Sequence, residues 1–462
     1  MFKQKLKEIL SDDIWILILL TIGFLGWLIN IDFITMPLLG ILSLLIFLIC
    51  DDIKNVFAIV ISIPFFINSI NTTFNIIMLG IALLFFVIGL LFFIIKQIIK
   101  KSNFTKGKMF WATIIYLIAH LLGGFIGHFN IIHSIVILLM VLLTYAMYWL
   151  ALNFTTNLKR YFQLLFITLG VILSVQLLIE YFKVDQPFHL AILSKNIVFI
   201  GVQNINIAAI YFIFAMLSVL TLGFKHKYDY LFSLASLIFA ICTYFTYSRM
   251  GTLTCFILLF AALLYTFIKS SNKKIYLGVG LTFLLIAILT TIIFYDRIIK
   301  LLDWYISLGF KGNGRDELYP WCFEKFIENP LFGIGFVADE TVPTMLMFDN
   351  IILAHNTILQ YLTSLGIVGS IMMIYYHYKE YKIAFTKFND FKFFNLLQIL
   401  TITIFGMAAT KDIFLVILLT FLIVLSEKDA DNSIIYSTQT QHNRKMKKEK
   451  YNEKKEGSDT IC

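Results

Sequence analysis

Three basic side chains stand out because of where they lie in the sequence: Arg249, Arg315 and His355. Arg249 falls in the short polar stretch 248–251 between two long apolar runs. An arginine held at a membrane boundary needs an anionic partner. Guanidinium presents a fork of donors that matches phosphate oxygens, so the position indicates a phosphate clamp. The alternative is an arginine that reaches lipid phosphates or pairs with a nearby carboxylate.

The other two residues frame a long polar segment. Arg315 follows the glycine-containing stretch 311–314, which suits a turn that presents backbone N–H groups to an anion. Pairing with an acidic neighbour such as Asp316 is the alternative. His355 stands where the polar segment meets the next apolar run, where a histidine can act as a general base or as a hydrogen-bonded structural residue.

The elements that carry these residues are apolar. Of the 462 residues, 60% are hydrophobic and only 14% are charged, which excludes a soluble enzyme, a secreted disulfide scaffold and a disordered chain. Apolar runs long enough to cross a bilayer as helices predict an all-α, polytopic integral membrane protein with about 14 (12–14) transmembrane helices. The runs cover 14–30, 33–50, 56–70, 74–95, 110–126, 131–152, 161–182, 205–223, 230–247, 251–268, 275–294, 357–378, 394–410 and 412–426.

This pattern also predicts an organisation and an orientation. We expect helices 1–11 in 1–294, one long extracytoplasmic loop with catalytic elements in 295–356, helices 12–14 in 357–426, and a disordered cytoplasmic tail in 427–462. With both termini in the cytoplasm, about 28 of the 37 Lys and Arg residues fall on the cytoplasmic side, as the positive-inside rule requires.

Several ordered motifs give the chain a family resemblance. Arg249 is followed by three residues and a leucine, and His355 is followed by ten residues and Gly366. Between them come Gly314-Arg315-Asp316-Glu317-Leu318-Tyr319-Pro320-Trp321 and Asn329-Pro330-Leu331-Phe332-Gly333-Ile334-Gly335, and then Leu365-Gly366-Ile367-Val368-Gly369. Over about 240–375 the chain resembles the O-antigen ligase and O-antigen polymerase superfamily. One departure is Met250, where the family often has glycine, and Gly251 is expected to keep the turn one residue later.

The resemblance implies a location and a reaction. The family works in the bacterial cytoplasmic membrane with its active site on the outer face, and it takes a glycan linked through a diphosphate to undecaprenol. On that basis Arg249 and Arg315 clamp the diphosphate, and His355 is the general base of an inverting transfer without metal or other cofactor. Four residues are expected to bind substrate: Asn356, Gly333, Gly335 and Gly366.

The resemblance also implies partners. These are the undecaprenyl-diphosphate-linked oligosaccharide, membrane lipid, and a flippase and a chain-length regulator of the same pathway, with no nucleic acid.

Three alternatives stay open beside a polymerase of O-antigen or capsule repeat units. A ligase would use the same donor with another acceptor. A flippase or transporter of lipid-linked oligosaccharides would fit the number of spans, although paired intramembrane charges and an internal repeat are not evident. A glycosyltransferase with monosaccharide phospholipid donors would need a first-loop acid such as Asp32, which has no supporting motif.

Overall fold

The fold is described by a computed structural model over most of the chain. It covers residues 2–67, 72–100, 104–127, 131–184, 200–201, 205–278, 299, 315–335, 347–348, 351–352, 356–404 and 415–429. In these ranges the chain is helical apart from turns and one antiparallel pair of two-residue strands, β1 (Met347–Phe348) and β2 (Ile351–Ile352). The prediction of a predominantly α-helical, polytopic membrane protein is confirmed.

Each predicted apolar run overlaps a helix. The helices are α1 (Phe2–Ser11), α2 (Trp15–Leu28), α3 (Asp32–Ile49), α4 (Lys54–Ser62), α5 (Thr72–Ile99), α6 (Phe110–Leu122), α7 (Ile131–Phe154), α8 (Leu158–Lys183), α9 (Ile205–Gly223), α10 (Asp229–Phe245), α11 (Arg249–Lys269), α12 (Arg315–Glu328), α13 (Thr357–Phe385) and α14 (Asp390–Ile404). A final helix covers 415–429, and 273–278 is helical. A 3₁₀ turn, Ile63–Phe65, extends α4, and a π-helical turn, Gly123–Gly127, extends α6.

Six of the described helices are long and apolar enough to cross a membrane by length and composition: α3, α5, α8, α9, α11 and α13. A seventh span is possible if α1 and α2, which meet at 69°, are one bent element. Four shorter apolar helices, of 10–17 residues, add to these. The count of about fourteen spans, the domain limits and the single long outer loop stay predictions.

The centre of the protein is α9, in which nearly every side chain is buried. It packs against α8 and α10. Buried glutamine side chains form hydrogen bonds between the helices in this region. Gln398 of α14 donates to the Ser218 hydroxyl at 3.2 Å, and Gln176 of α8 donates to the Phe65 carbonyl at 3.0 Å. Because lipid cannot satisfy a polar group, such hydrogen bonds hold helices together where apolar contact alone gives little specificity.

The N-terminal helices are joined by close backbone contact. Gly40 of α3 lies so near α5 that a Cβ atom there would stand 2.7 Å from the Cα of Ala82. Gly80, on the same α5 helix, faces open space, with nothing within 4 Å of such an atom. Small residues therefore set the separation of α3 and α5, in the manner of close-packed membrane helices.

Gly40→Ala is expected to destabilise the protein by about 1–3 kcal/mol, because the added methyl group forces α3 and α5 apart. The matched control, Gly80→Ala, should be neutral or stabilising by about 0.5–1 kcal/mol through helix propensity. Thermal unfolding of the purified variants in detergent measures both. Equal melting temperatures for the two variants would contradict the close packing of α3 on α5.

Candidate functional site

The predicted span that follows His355 is broken at Gly366. This residue has φ +63° and ψ −166°, inside the helix that runs from Thr357 to Phe385. In an unbroken helix the carbonyls of Thr363 and Ser364 would accept from the N–H groups of Ile367 and Val368, four residues later. The break removes both hydrogen bonds, so two buried carbonyls and two N–H groups need other partners.

The turn at 329–335 supplies all four partners. Ile334 N donates to Thr363 O at 2.9 Å, Gly335 N to Ser364 O at 2.9 Å, Ile367 N to Pro330 O at 2.8 Å and Val368 N to Leu331 O at 3.1 Å. Two helical hydrogen bonds are thus exchanged for four between distant parts of the chain. The turn is therefore built into α13, and the break is part of the fold.

Glycine is required on both sides of this contact. A Cβ atom on Gly333, whose φ is +68°, would lie 2.5 Å from the backbone N of Leu365. One on Gly366 would lie 2.4 Å from the carbonyl carbon of Leu331. Gly335, with φ +79°, faces the Gly123 carbonyl at the end of α6 more loosely, at 3.4 Å. These glycines allow backbone to meet backbone, and their predicted contact with substrate stays a prediction.

The same region holds the helix that begins at Arg315. Thr363 donates its hydroxyl to the Cys322 carbonyl of α12 at 3.0 Å. Leu318 and Cys322 are fully buried in a small apolar cluster to which Leu359 and Ile334 contribute. Three motifs far apart in sequence, on α12, on the turn and on α13, therefore form one packed unit.

The break also folds α13 back on itself. The Tyr361 hydroxyl hydrogen-bonds His377 Nε2 at 2.8 Å, and His377 Nδ1 contacts the Glu380 carboxylate at 2.7 Å. In a straight helix the Cα atoms of Tyr361 and His377 would be about 24 Å apart, well beyond the reach of the two side chains. The segment before Gly366 must therefore turn back beside the segment after it, which divides the predicted single span 357–378.

This side-chain network was missed by sequence reasoning. Glu380 is only 3% exposed, although its neighbours Lys379 and Lys382 make the stretch look like a polar loop. The i, i+3 spacing of His377 and Glu380 was the available signal. Because the network ties residue 361 to residues 377 and 380, it fixes the direction of the segment that begins at Asn356.

Asn356 has a definite structural role. Its side-chain oxygen accepts from the backbone N–H groups of Ile358 at 3.1 Å and Leu359 at 3.2 Å, which is the geometry of a helix N-cap. The predicted contribution of Asn356 to sugar binding is untested by this geometry. His355, immediately before the cap, lies outside the described residues.

Arg249 is placed differently from the prediction. The sequence suggested a four-residue loop, but Arg249 is the first residue of α11, with Ser248 as its N-cap. The Ser248 hydroxyl accepts from Gly251 N at 3.2 Å. Gly251 does not keep a turn, because it is the third residue of α11. A Cβ atom there would meet the Ala209 side chain of α9 at 2.9 Å. Gly251 therefore serves helix packing, and the shifted-turn interpretation was wrong.

The turn before Arg249 is fixed by buried polar groups. Tyr247 has φ +54°, and Thr246 and Ser248 are buried. Ser248 N donates to the Thr246 hydroxyl at 3.3 Å, and Tyr181 of α8 donates its hydroxyl to the Phe245 carbonyl. The backbone at Arg249 is thus held by contacts with two neighbouring helices, α8 through Tyr181 and α9 through Ala209. The side chains of Arg249 and Arg315 lie outside the described part, so their convergence with His355 stays a prediction.

A helical, polytopic membrane protein carries motif residues at the starts of α11, α12 and α13, with the last two locked together at a broken helix. Residues 234–374 match the family model described as O-antigen ligase. This range contains Arg249, Arg315 and His355, and over it the chain is similar to the O-antigen ligase family. Comparison with curated proteins gave no match.

Gly366→Ala is expected to destabilise the protein by about 3 kcal/mol, because the new methyl group meets the Leu331 backbone and the left-handed φ is strained. Gly335→Ala, also at positive φ but with a looser contact, should cost about 1 kcal/mol. Thermal unfolding ranks the two. If Gly335→Ala were the more damaging change, the docking of the turn into the break would be wrong.

Tyr361→Phe removes the hydroxyl that holds the folded-back segment and should cost about 1–2 kcal/mol. Hydrogen exchange of 357–365 should speed up in this variant. The control is Tyr378→Phe on the same helix, whose side chain is about half exposed. Unchanged exchange in Tyr361→Phe would show that the bond to His377 does not hold the segment.

Proposed function

We propose that the protein is a polysaccharide polymerase that works on the outer face of the bacterial cytoplasmic membrane. It transfers a glycan from undecaprenyl diphosphate to a sugar hydroxyl of a lipid-linked repeat unit. The reaction is an inverting glycosyl transfer without a metal ion. The long segment 295–356 carries catalytic elements, and both chain termini face the cytoplasm.

The observation that carries this proposal is the position of the motif residues at helix starts. A helix N-terminus has partial positive charge and favours anions, so a cation there is at the unfavourable end. Arg249 is the first residue of α11, whose first turn contains no acidic side chain. An anion bound between the guanidinium group and the helix N–H groups would relieve this repulsion, and a diphosphate is such an anion. Arg315 is likewise the first residue of its helix, α12, where Asp316 and Glu317 follow it in the first turn.

The chemistry follows from the donor. As the bond between the sugar C1 and the diphosphate oxygen breaks, the leaving undecaprenyl diphosphate keeps the electron pair, and Arg249 and Arg315 stabilise the added charge. The acceptor hydroxyl oxygen forms the new bond to C1 from the opposite face. His355 takes the hydroxyl proton, a contribution worth about 10²–10⁴-fold in rate. Asn356 holds the helix start beside this base.

Ligation is the second candidate, because the matching family model is described as O-antigen ligase. A ligase would use the same donor and the same three residues, and would deliver the finished glycan to a different acceptor. The two functions differ in which intermediate accumulates when the site fails. A flippase and a chain-length regulator of the same pathway are proposed partners in either case.

Arg249→Ala, Arg315→Ala and His355→Ala are each expected to lower polymer formation at least about 100-fold, because each removes charge stabilisation or the base. The length distribution of the surface polysaccharide in cells that express each variant measures the loss. A polymerase defect leaves single repeat units, whereas a ligase defect leaves long polymer on its lipid carrier.

The matched control is Arg160→Ala, an exposed arginine at the predicted cytoplasmic end of α8, which should leave chain length unchanged. Arg249→Lys keeps the charge but loses the fork of donors, and should recover only part of the activity. If cells that express His355→Ala at the normal level made surface polysaccharide of normal length, His355 would not be the general base.

A further inference from the structure

A groove opens between the ends of α3 and α5 on the predicted cytoplasmic side. Its volume is ≈ 420 Å³, and it is lined by Leu48, Phe92, Ile95, Ile99 and the stems of Lys96 and Lys100. Leu48, Phe92, Ile95 and Ile99 are between 42% and 75% exposed. The lining is therefore apolar along its length and cationic at one end.

The cationic end is organised around one carboxylate. Asp51 pairs with Lys7 of α1, with Lys100 at 2.6 Å and with Lys96 at 3.4 Å. Burial alone would raise the pKa of Asp51, but hydrogen bonds from Lys100 and Lys7 hold it well below its usual value. Asp51 is therefore ionised at neutral pH. Three ammonium groups against one carboxylate leave the cluster with two positive charges in excess.

The three lysines are not equivalent. Lys96 donates to the Cys50 carbonyl at 2.6 Å and contacts the Phe47 and Leu48 carbonyls at the end of α3, so its donors are used within the protein. Lys7 and Lys100 have side chains 44% and 49% exposed, and Asp51 takes one N–H from each. An ammonium group has three donors. Lys7 and Lys100 can therefore bind a further anion.

This cluster lies beside the ends of α3 and α5, two helices apolar enough to cross a membrane, which suits the depth of lipid headgroups. α1 meets α2 at 69°, so it runs across the end of the bundle rather than along it. Leu10 of α1 is buried against the core, while Lys7 on the same helix reaches Asp51. A helix with one buried apolar side and lysines on the other is typical of the membrane interface.

We propose that this groove binds an anionic glycerophospholipid of the cytoplasmic leaflet. One acyl chain lies along Leu48, Phe92, Ile95 and Ile99, and the phosphate accepts hydrogen bonds from Lys7 and Lys100. The apolar channel and the excess charge at its end match the two parts of such a lipid. The bound headgroup would bridge α1 and α5 and so hold the interfacial helix against the bundle.

The test is retention of lipid by the full-length protein, measured by native mass spectrometry after exchange with phosphatidylglycerol or phosphatidylcholine. Phosphatidylglycerol should be retained more strongly. Each lysine near an anionic headgroup contributes about fivefold in affinity, so Lys7→Gln with Lys100→Gln should weaken binding roughly 25-fold. The control, Lys273→Gln with Lys274→Gln, makes the same charge change at exposed lysines on the predicted cytoplasmic side and should have no effect.

A second pair of variants tests the apolar part and keeps the lysine cluster intact. Leu48→Trp fills the groove and should lower phosphatidylglycerol retention, whereas Leu45→Trp, on an exposed lipid-facing position of the same helix outside the groove, should not.

Three results would overturn the proposal. One is equal retention of the two lipids, and another is equal loss in the two lysine double variants. The third is binding of inorganic phosphate with the same lysine dependence together with no effect of Leu48→Trp, which would identify a simple anion site.

Discussion

The arrangement around the motif residues depends on an exchange of backbone hydrogen bonds at Gly366. A broken helix inside an apolar protein leaves N–H and C=O groups that lipid cannot satisfy, at a cost of several kcal/mol for each group. The turn at 329–335 meets this cost by pairing with residues on both sides of the break. The pairing is possible only because Gly333 and Gly366 let two backbones touch. The loop motif and the helix motif are therefore two halves of one structure.

The residues on the N-terminal side of this break also contact two other parts of the protein. Toward α12, Thr363 holds the Cys322 carbonyl and so fixes the helix that Arg315 begins. Toward the bundle, the fold-back brings Tyr361 to His377 and Glu380, and thereby sets the direction of the segment capped by Asn356. Arg249 is fixed independently, by the buried turn at 245–248 and by the contact of Gly251 with Ala209. The backbone at Arg249, Arg315 and Asn356 is thus joined to packed helices, as precise positioning of reacting groups requires.

Much of this organisation follows from the sequence. Where the sequence did not predict it, there is a physical reason. Hydrophobic runs located the helices, because a bilayer demands long apolar segments. The same runs hid the break in 357–378, since a single glycine in an apolar stretch looks like ordinary helix. The spacing from His355 to Gly366 pointed to Gly366 but could not show that its partner is the turn at 329–335. The buried pairing of His377 with Glu380 was missed because charged neighbours make the stretch resemble a loop. Arg249 was assigned to a loop because the apolar run was taken to begin at Gly251, although Ser248 is a common N-cap residue and begins the helix.

The most direct test of the proposed function is turnover by the purified protein in vesicles supplied with an undecaprenyl-diphosphate-linked oligosaccharide of known anomeric configuration. The proposed mechanism predicts one undecaprenyl diphosphate released for each glycosidic bond formed, with the configuration at C1 inverted in the product. Retention of configuration, or bond formation without release of the lipid diphosphate, would contradict it.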